Sequence, residues 1–293
     1  MIAWPRRNEG RTEADRSSAR PVEVGDHLDL DDRTKGVETL LGDPKSAILK
    51  LSAPMVLSML LFSLYNVVDA FWVVGLGSDA LAAIGFVFPF YFVVLGIANG
   101  LGVGGGSAIS RRIGSQDKPG AEVVAQHTML IMAAVSVIFT AALYVSSDRL
   151  FVLLGAGSAA PMAAEYSRVI FSGTIFILFS NVAYAILRGE GDAKRAMYAM
   201  GVSSLLNIVL DPIFIYTFGW GIGGAAWATV LSIAVSSAVM FRWMVIKKDT
   251  YVTLNLRGFS RDGKVDFEIM QVGVPASFEF VSVALMQIAI NLV

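Results

Sequence analysis

Three carboxylates, Asp69, Asp211 and Glu279, interrupt long runs of apolar residues. Placing a charge in such a run costs about 2.5–3.5 kcal/mol at bilayer depth, so an acid kept there marks a cation site or a proton relay. Polar neighbours recur at helical spacing: Asn207 and Asp211 are i,i+4 and share a face with Ser203, while Asn66 and Asp69 are i,i+3. Two carboxylates with amide and hydroxyl oxygens beside them can be neutralised reversibly, by H⁺ or by Na⁺. The plainer reading is that each polar group bonds a neighbouring helix, which is common for Asn but less so for paired aspartates. Tyr65, one turn before Asp69, either lines a cavity or packs. Pro54 and Pro212 each remove a backbone donor and favour a kink, freeing carbonyls as cation ligands or giving a hinge.

The elements that must position these groups are membrane spans. Of 293 residues, 55% are hydrophobic and only 16% charged, with a mean hydropathy of +0.63, whereas soluble domains carry about 25% charge. Apolar runs long enough to cross a bilayer lie at 51–75, 81–109, 122–146, 166–188, 196–218 and 221–246, and a seventh begins near Phe267 and runs to Val293. The expected fold is all-α and polytopic: a six-helix transmembrane lobe over 44–246, a connection over 247–266, and the start of a second lobe, a truncated seventh helix, over 267–293. Residues 1–43 hold 17 of the 47 charges and are expected to be a disordered cytoplasmic tail. No apolar run follows its basic start closely, so no cleaved leader is expected.

Basic residues set the orientation. The tail and the approach to the first span hold nine, and the connections after spans two, four and six hold Arg111, Arg112, Lys118, Arg188, Lys194, Arg195 and six more. Only Arg149 and Arg168 lie on the other side, so the amino terminus is expected in the cytoplasm of a cell in whose plasma membrane the chain sits. The first and fifth spans then run outward, placing Asp69 roughly 9 Å and Asp211 roughly 12 Å below their outer ends. The sixth runs inward and puts Thr229 roughly 13 Å down, so Asp69, Asn207, Asp211 and Thr229 share one layer. His127 is expected as a wet imidazole at the cytoplasmic end of span three, and Arg111 and Arg112 as headgroup anchors. Gly96, Gly100 and Gly104 make a small-residue face for helix packing.

Several classes of chemistry are excluded. Without cysteine there is no disulfide or thiol chemistry, and two histidines make no His-rich metal centre. The glycines at 102–106 follow no strand, no Walker lysine motif exists, and hydrolase signatures are absent, so an enzyme is not expected. The near-neutral charge offers no nucleic-acid face.

The chain also resembles the multidrug and toxic compound extrusion (MATE) family, more closely its DinF-like and archaeal branch than its NorM branch, over roughly residues 40 to 293. The resemblance rests on Pro54-Met55, on Leu64-Tyr65-Asn66-Val67-Val68-Asp69-Ala70-Phe71-Trp72, on Ser110-Arg111-Arg112-Ile113-Gly114, and on Leu187-Arg188-Gly189-Glu190-Gly191-Asp192 leading into Asn207-Ile208-Val209-Leu210-Asp211-Pro212. It implies a secondary antiporter that exports amphipathic, often cationic organic compounds against inward H⁺ or Na⁺, with no cofactor beyond that ion. The family's cation site maps onto Asp69, Asn207, Asp211 and Thr229. Glu279 is on the helix that holds a further glutamate in the NorM branch, but its turn does not clearly match. Complete members have two six-helix lobes, so the second lobe is missing here, and a fragmentary coding sequence is expected over a self-dimerising half. The rival readings are a lipid or polysaccharide flippase of the same superfamily, disfavoured because embedded Lys and Arg are nearly absent, and a non-transporting scaffold subunit.

Overall fold

The computed structural model describes residues 34–254 and 262–291, and the expectation of disorder for residues 1–33 lies outside them. Every regular element among the described residues is helical: α1 (Lys35–Leu41), α2 (Pro44–Val74), α3 (Ser78–Gly114), α4 (Lys118–Leu153), α5 (Ala160–Ser172), α6 (Thr174–Gly189), α7 (Ala193–Pro212), α8 (Gly221–Phe241) and α9 (Gly263–Asn291). Six described helices are long and apolar enough to cross a membrane, seven if α5 and α6 count as one broken span. The protein is a multi-pass membrane protein.

The helices start where the sequence supplies caps. Asp43, Asp117 and Asp192 each accept a hydrogen bond from a backbone N–H in the first turn of α2, α4 and α7, and Pro follows at the start of α2 and α4. These caps share the end of the lobe that carries Arg111, Arg112, Lys118 and Arg195, here called the basic end.

Five expectations need correction. The end of the presumed tail is ordered: Thr34 caps α1, Val37 is 1% exposed, and Gly36 lies so close to the Glu190–Asp192 turn that a Cβ would meet Gly191 at 2.8 Å. The fourth span is not continuous over 166–188. It breaks at Gly173, where α5 and α6 are bent by 51° and Val230 of α8 fills the space a Cβ would need. The seventh helix begins at Gly263 rather than Phe267, because Asp262 caps it and its charged first turns find partners. Asp266 meets His127 at 2.7 Å, and Glu268 takes Arg111 and Arg112 at 2.9 Å each. His127 is therefore buried, at 1% exposure, rather than wet, and the two arginines hold α9 rather than only lipid.

The glycine face of α3 is a packing seam. Gly96, Gly100 and Gly104 lie against Phe280, Ser277, Gly273 and Ile269 of α9, and a Cβ on Gly273 would meet the Gly100 carbonyl at 2.7 Å. Gly102 and Gly106 give α6 the same close approach on another side. Gly104→Leu is expected to unseat α9 and to destabilise the lobe by about 1–3 kcal/mol or more, since backbone rather than side chain stands in the way. Gly114→Ala, whose Cβ meets open space, is the control. Thermal unfolding in detergent checks this, and equal midpoints for the two variants would contradict the seam.

Candidate functional site

On α7, Asn207 and Asp211 fall one turn apart on the face turned toward α8, and both are buried, at 1% and 0% exposure. The Asn207 amide donates to Asp211 Oδ1 at 3.2 Å and to Thr229 Oγ1 of α8 at 3.3 Å. Asp69 of α2 completes the group from the cavity side, close enough to Asp211 for the two carboxyls to interact directly. As carboxylates neither can donate to the other, and among the described residues Asp211 Oδ2 and Asn207 Oδ1 have no hydrogen-bond donor. Ser232 Oγ, one turn beyond Thr229, is a third buried oxygen without a partner.

That inventory has too many acceptors. Each buried acceptor left unpaired costs about 1–3 kcal/mol, and among the described residues the Asn207 amide alone donates to Asp211. A proton on a carboxyl, or a small hard cation held by carboxylate, amide and hydroxyl oxygens, supplies what is missing.

The cluster opens onto a cavity of about 510 Å³ enclosed by α2, α3, α5, α6, α7 and α8, with Phe280 contributed by α9. Met and aromatic side chains make up 11 of its 30 lining residues, among them Met55, Met59, Phe62, Phe88 and Phe92, and Met surfaces adapt to apolar bodies of varied shape. Tyr65 lines it beside Thr229. Asn66 lines it too, though its amide is spent on the Phe62 carbonyl at 2.7 Å, and Ser203 stands one turn before Asn207.

The prolines behave differently from each other. Pro54 sits buried inside an unbroken α2, with its carbonyl taken by the Ser58 hydroxyl at 2.7 Å. Pro212 ends α7, and the chain loosens into a wide helical turn at Ile213–Thr217. Tyr216 from that turn donates to the Trp72 carbonyl at 2.5 Å and ties the end of α2 to it. Glu279 stays apart on an exposed face of α9, away from the four-residue group.

Tyr91 of α3 and Tyr166 of α5 also face Asp69 from the cavity wall, and no helical spacing links them to it. Glu190, part of the run at 187–192, is a further buried acid, and spacing does not reveal its burial. It caps α6 at the basic end, 1% exposed, with Oε2 accepting from the Val252 N–H at 2.8 Å and Oε1 without a partner among the described residues. Burial, first of all, pushes its carboxyl up to about 8, helped by Asp192 and Asp249 and opposed by the Val252 bond and Arg195. The folded protein thus holds a proton that the unfolded chain releases across the interval from the ordinary carboxylate range to about pH 8. Stability is expected to fall as pH rises through that interval, and Glu190→Gln is expected to flatten the dependence. Unfolding midpoints against pH check it, and an equally steep loss in the variant would assign the dependence elsewhere.

Comparison with known proteins fixes the family. The MatE pattern matches residues 54–213, more than half of the chain and including Asp69, Asn207 and Asp211. The chain belongs to the MatE family. Multidrug export protein MepA of Staphylococcus aureus (strain NCTC 8325 / PS 47) is 27% identical over 248 residues, 84% of this chain and 55% of that protein. A crystal structure of a MATE protein in complex with MaD3S superimposes with a TM-score of 0.84 at 48% identity, covering 86% of this chain and 57% of the other. A MOP superfamily transporter from Pyrococcus furiosus, described by its structure as having a binding pocket of reverse polarity that suggests a different function, gives 0.83 at 48% identity over 86% and 56%. This MatE chain therefore spans a little over half the length of the relatives it matches.

Proposed function

We propose that this chain is the cation-coupling lobe of an antiporter that exports small amphipathic organic compounds in exchange for H⁺ or Na⁺ across the plasma membrane, with its amino terminus and basic end in the cytoplasm. The observation that carries the reading is the buried oxygen cluster of Asp211, Asn207 and Thr229, short of donors and continuous through Asp69 with an aromatic and Met-lined cavity. A cation or proton entering the cluster neutralises the wall against which an organic cation would also sit, so the two compete and their fluxes oppose. Similarity to multidrug export proteins supports the substrate class. Export needs a second six-helix lobe to face this one, because alternating access rocks one bundle against another around the site between them.

The test is gradient-driven accumulation of a fluorescent organic cation in everted vesicles, by this lobe joined to the second lobe of a MATE relative. Accumulation that collapses with the H⁺ or Na⁺ gradient is the expected result. Accumulation indifferent to both gradients would overturn the coupling.

A further inference from the structure

The cavity also contains a positive charge. Arg188, in the last turn of α6, is the one Lys or Arg among its lining residues. It belongs to the end near Ala193, whereas Asn207 and Asp69 line the other; along α7, Ala193 and Asn207 stand roughly 21 Å apart at 1.5 Å per residue. Arg111, Arg112 and Arg195 at the basic end all pair with carboxylates. Arg188 has no ion pair and no hydrogen bond among the described residues, and its electrostatic neighbour is the Tyr184 hydroxyl one turn earlier. Ser180 and Asn181 line the wall of the same helix, and Met59, Phe62 and Phe92 face the space between the two charged ends.

A half-buried guanidinium without a counter-ion has lost hydration and gained nothing in return. An oxyanion restores both the charge balance and the hydrogen bonds, two at once in the forked geometry that suits carboxylate and phosphate. A purely cationic ligand is repelled at this end.

Resting on the reading of the cavity as the substrate site, we propose that Arg188 is a subsite for the oxyanion head, carboxylate or phosphate, of an elongated amphiphile whose apolar body lies along Met59, Phe62 and Phe92. A cationic group on the same molecule, where present, reaches Asp69. The cavity thereby sorts ligands by polarity as well as by size, and rejects those that carry their only charge, a positive one, toward the basic end.

The experiment uses the purified 293-residue chain in nanodiscs, with dansyl-aminoundecanoic acid and its methyl ester as fluorescent ligands. The wild type is expected to bind the acid about tenfold or more tighter than the ester. Arg188→Gln should erase that preference without weakening the ester, and Arg188→Lys should keep part of it. Displacement of the acid by dodecyl phosphate would support a phosphate-headed lipid as the source of the oxyanion, and displacement by inorganic phosphate alone would support a free anion. Equal affinity of the wild type for acid and ester would overturn the subsite while leaving the cavity as a binding site. Binding of neither would sink the cavity reading and the subsite together. Should Arg188→Gln fail to fold, the wild-type comparison of acid with ester still decides.

Discussion

Asp211→Asn and Asp69→Asn, each introduced into the lobe completed by a second six-helix lobe, should reduce gradient-driven export to the background of empty vesicles while leaving expression and folding intact. Asparagine keeps the shape and one acceptor oxygen of the aspartate but carries no charge to exchange for a proton or a cation. At Asp211 the change should even relieve the site, since an amide N–H can donate where Oδ2 now finds no partner. A folded, stabilised and uncoupled protein is therefore the signature, and it differs from the outcome for a residue that merely braces α7 on α8. Thr229→Ala removes a neutral oxygen and the second acceptor of the Asn207 amide. It should weaken ion affinity by roughly three- to tenfold, in line with a neutral hydrogen-bonding contribution. The loss should be larger when Na⁺ drives transport, because a proton sits on one carboxyl whereas Na⁺ needs several oxygens. Wild-type export with unchanged pH and Na⁺ dependence in both aspartate variants would refute the site.

The 293 residues by themselves are expected to bind ligand and to export none. One side of α2 is apolar and exposed, with Leu60, Leu64, Val67 and Phe71 uncovered, and α9 exposes Phe278, Leu285 and Met286. The cavity in this lobe has the site but no second body to rock against. In everted vesicles the chain alone should give no protonophore-sensitive accumulation, and joining it to a second lobe should restore it. Strong export by the isolated chain would mean that two copies supply both walls, or that a different mechanism operates.

Much of this layout can be read from the residues because the bilayer simplifies the problem. Span length and direction convert sequence position into depth, and depth together with i,i+4 spacing is enough to bring Asp69, Asn207, Asp211 and Thr229 into one group. What spacing cannot supply is rotation of one helix about its axis relative to another. The cavity roles of Tyr91, Tyr166 and Arg188 are therefore not legible in spacing: each is ordinary on its own helix and meaningful only from the cavity it faces. Arg188 was counted with the basic residues that set orientation, since at the end of a span an arginine in a cavity and one among headgroups have the same sequence context. Hydropathy misplaced the start of α9 for a related reason. Asp266 looks like a linker charge until His127 is seen opposite it. The break at Gly173 is not legible because glycine within an apolar run is compatible with a straight span, and the close approach of Val230 of α8 there comes from another helix.

The central claim, that the Asp69 and Asp211 pair takes up the coupling ion, is tested most directly by infrared difference spectra of the purified chain between acidic and alkaline pH, with and without Na⁺, in a Glu190→Gln background that removes the other buried carboxyl titrating in this range. The account predicts a band from a buried protonated carboxyl that disappears on raising the pH, shifts its titration when Na⁺ competes, and is absent from Asp211→Asn. A titrating band that persists unchanged in both Asp211→Asn and Asp69→Asn would contradict it.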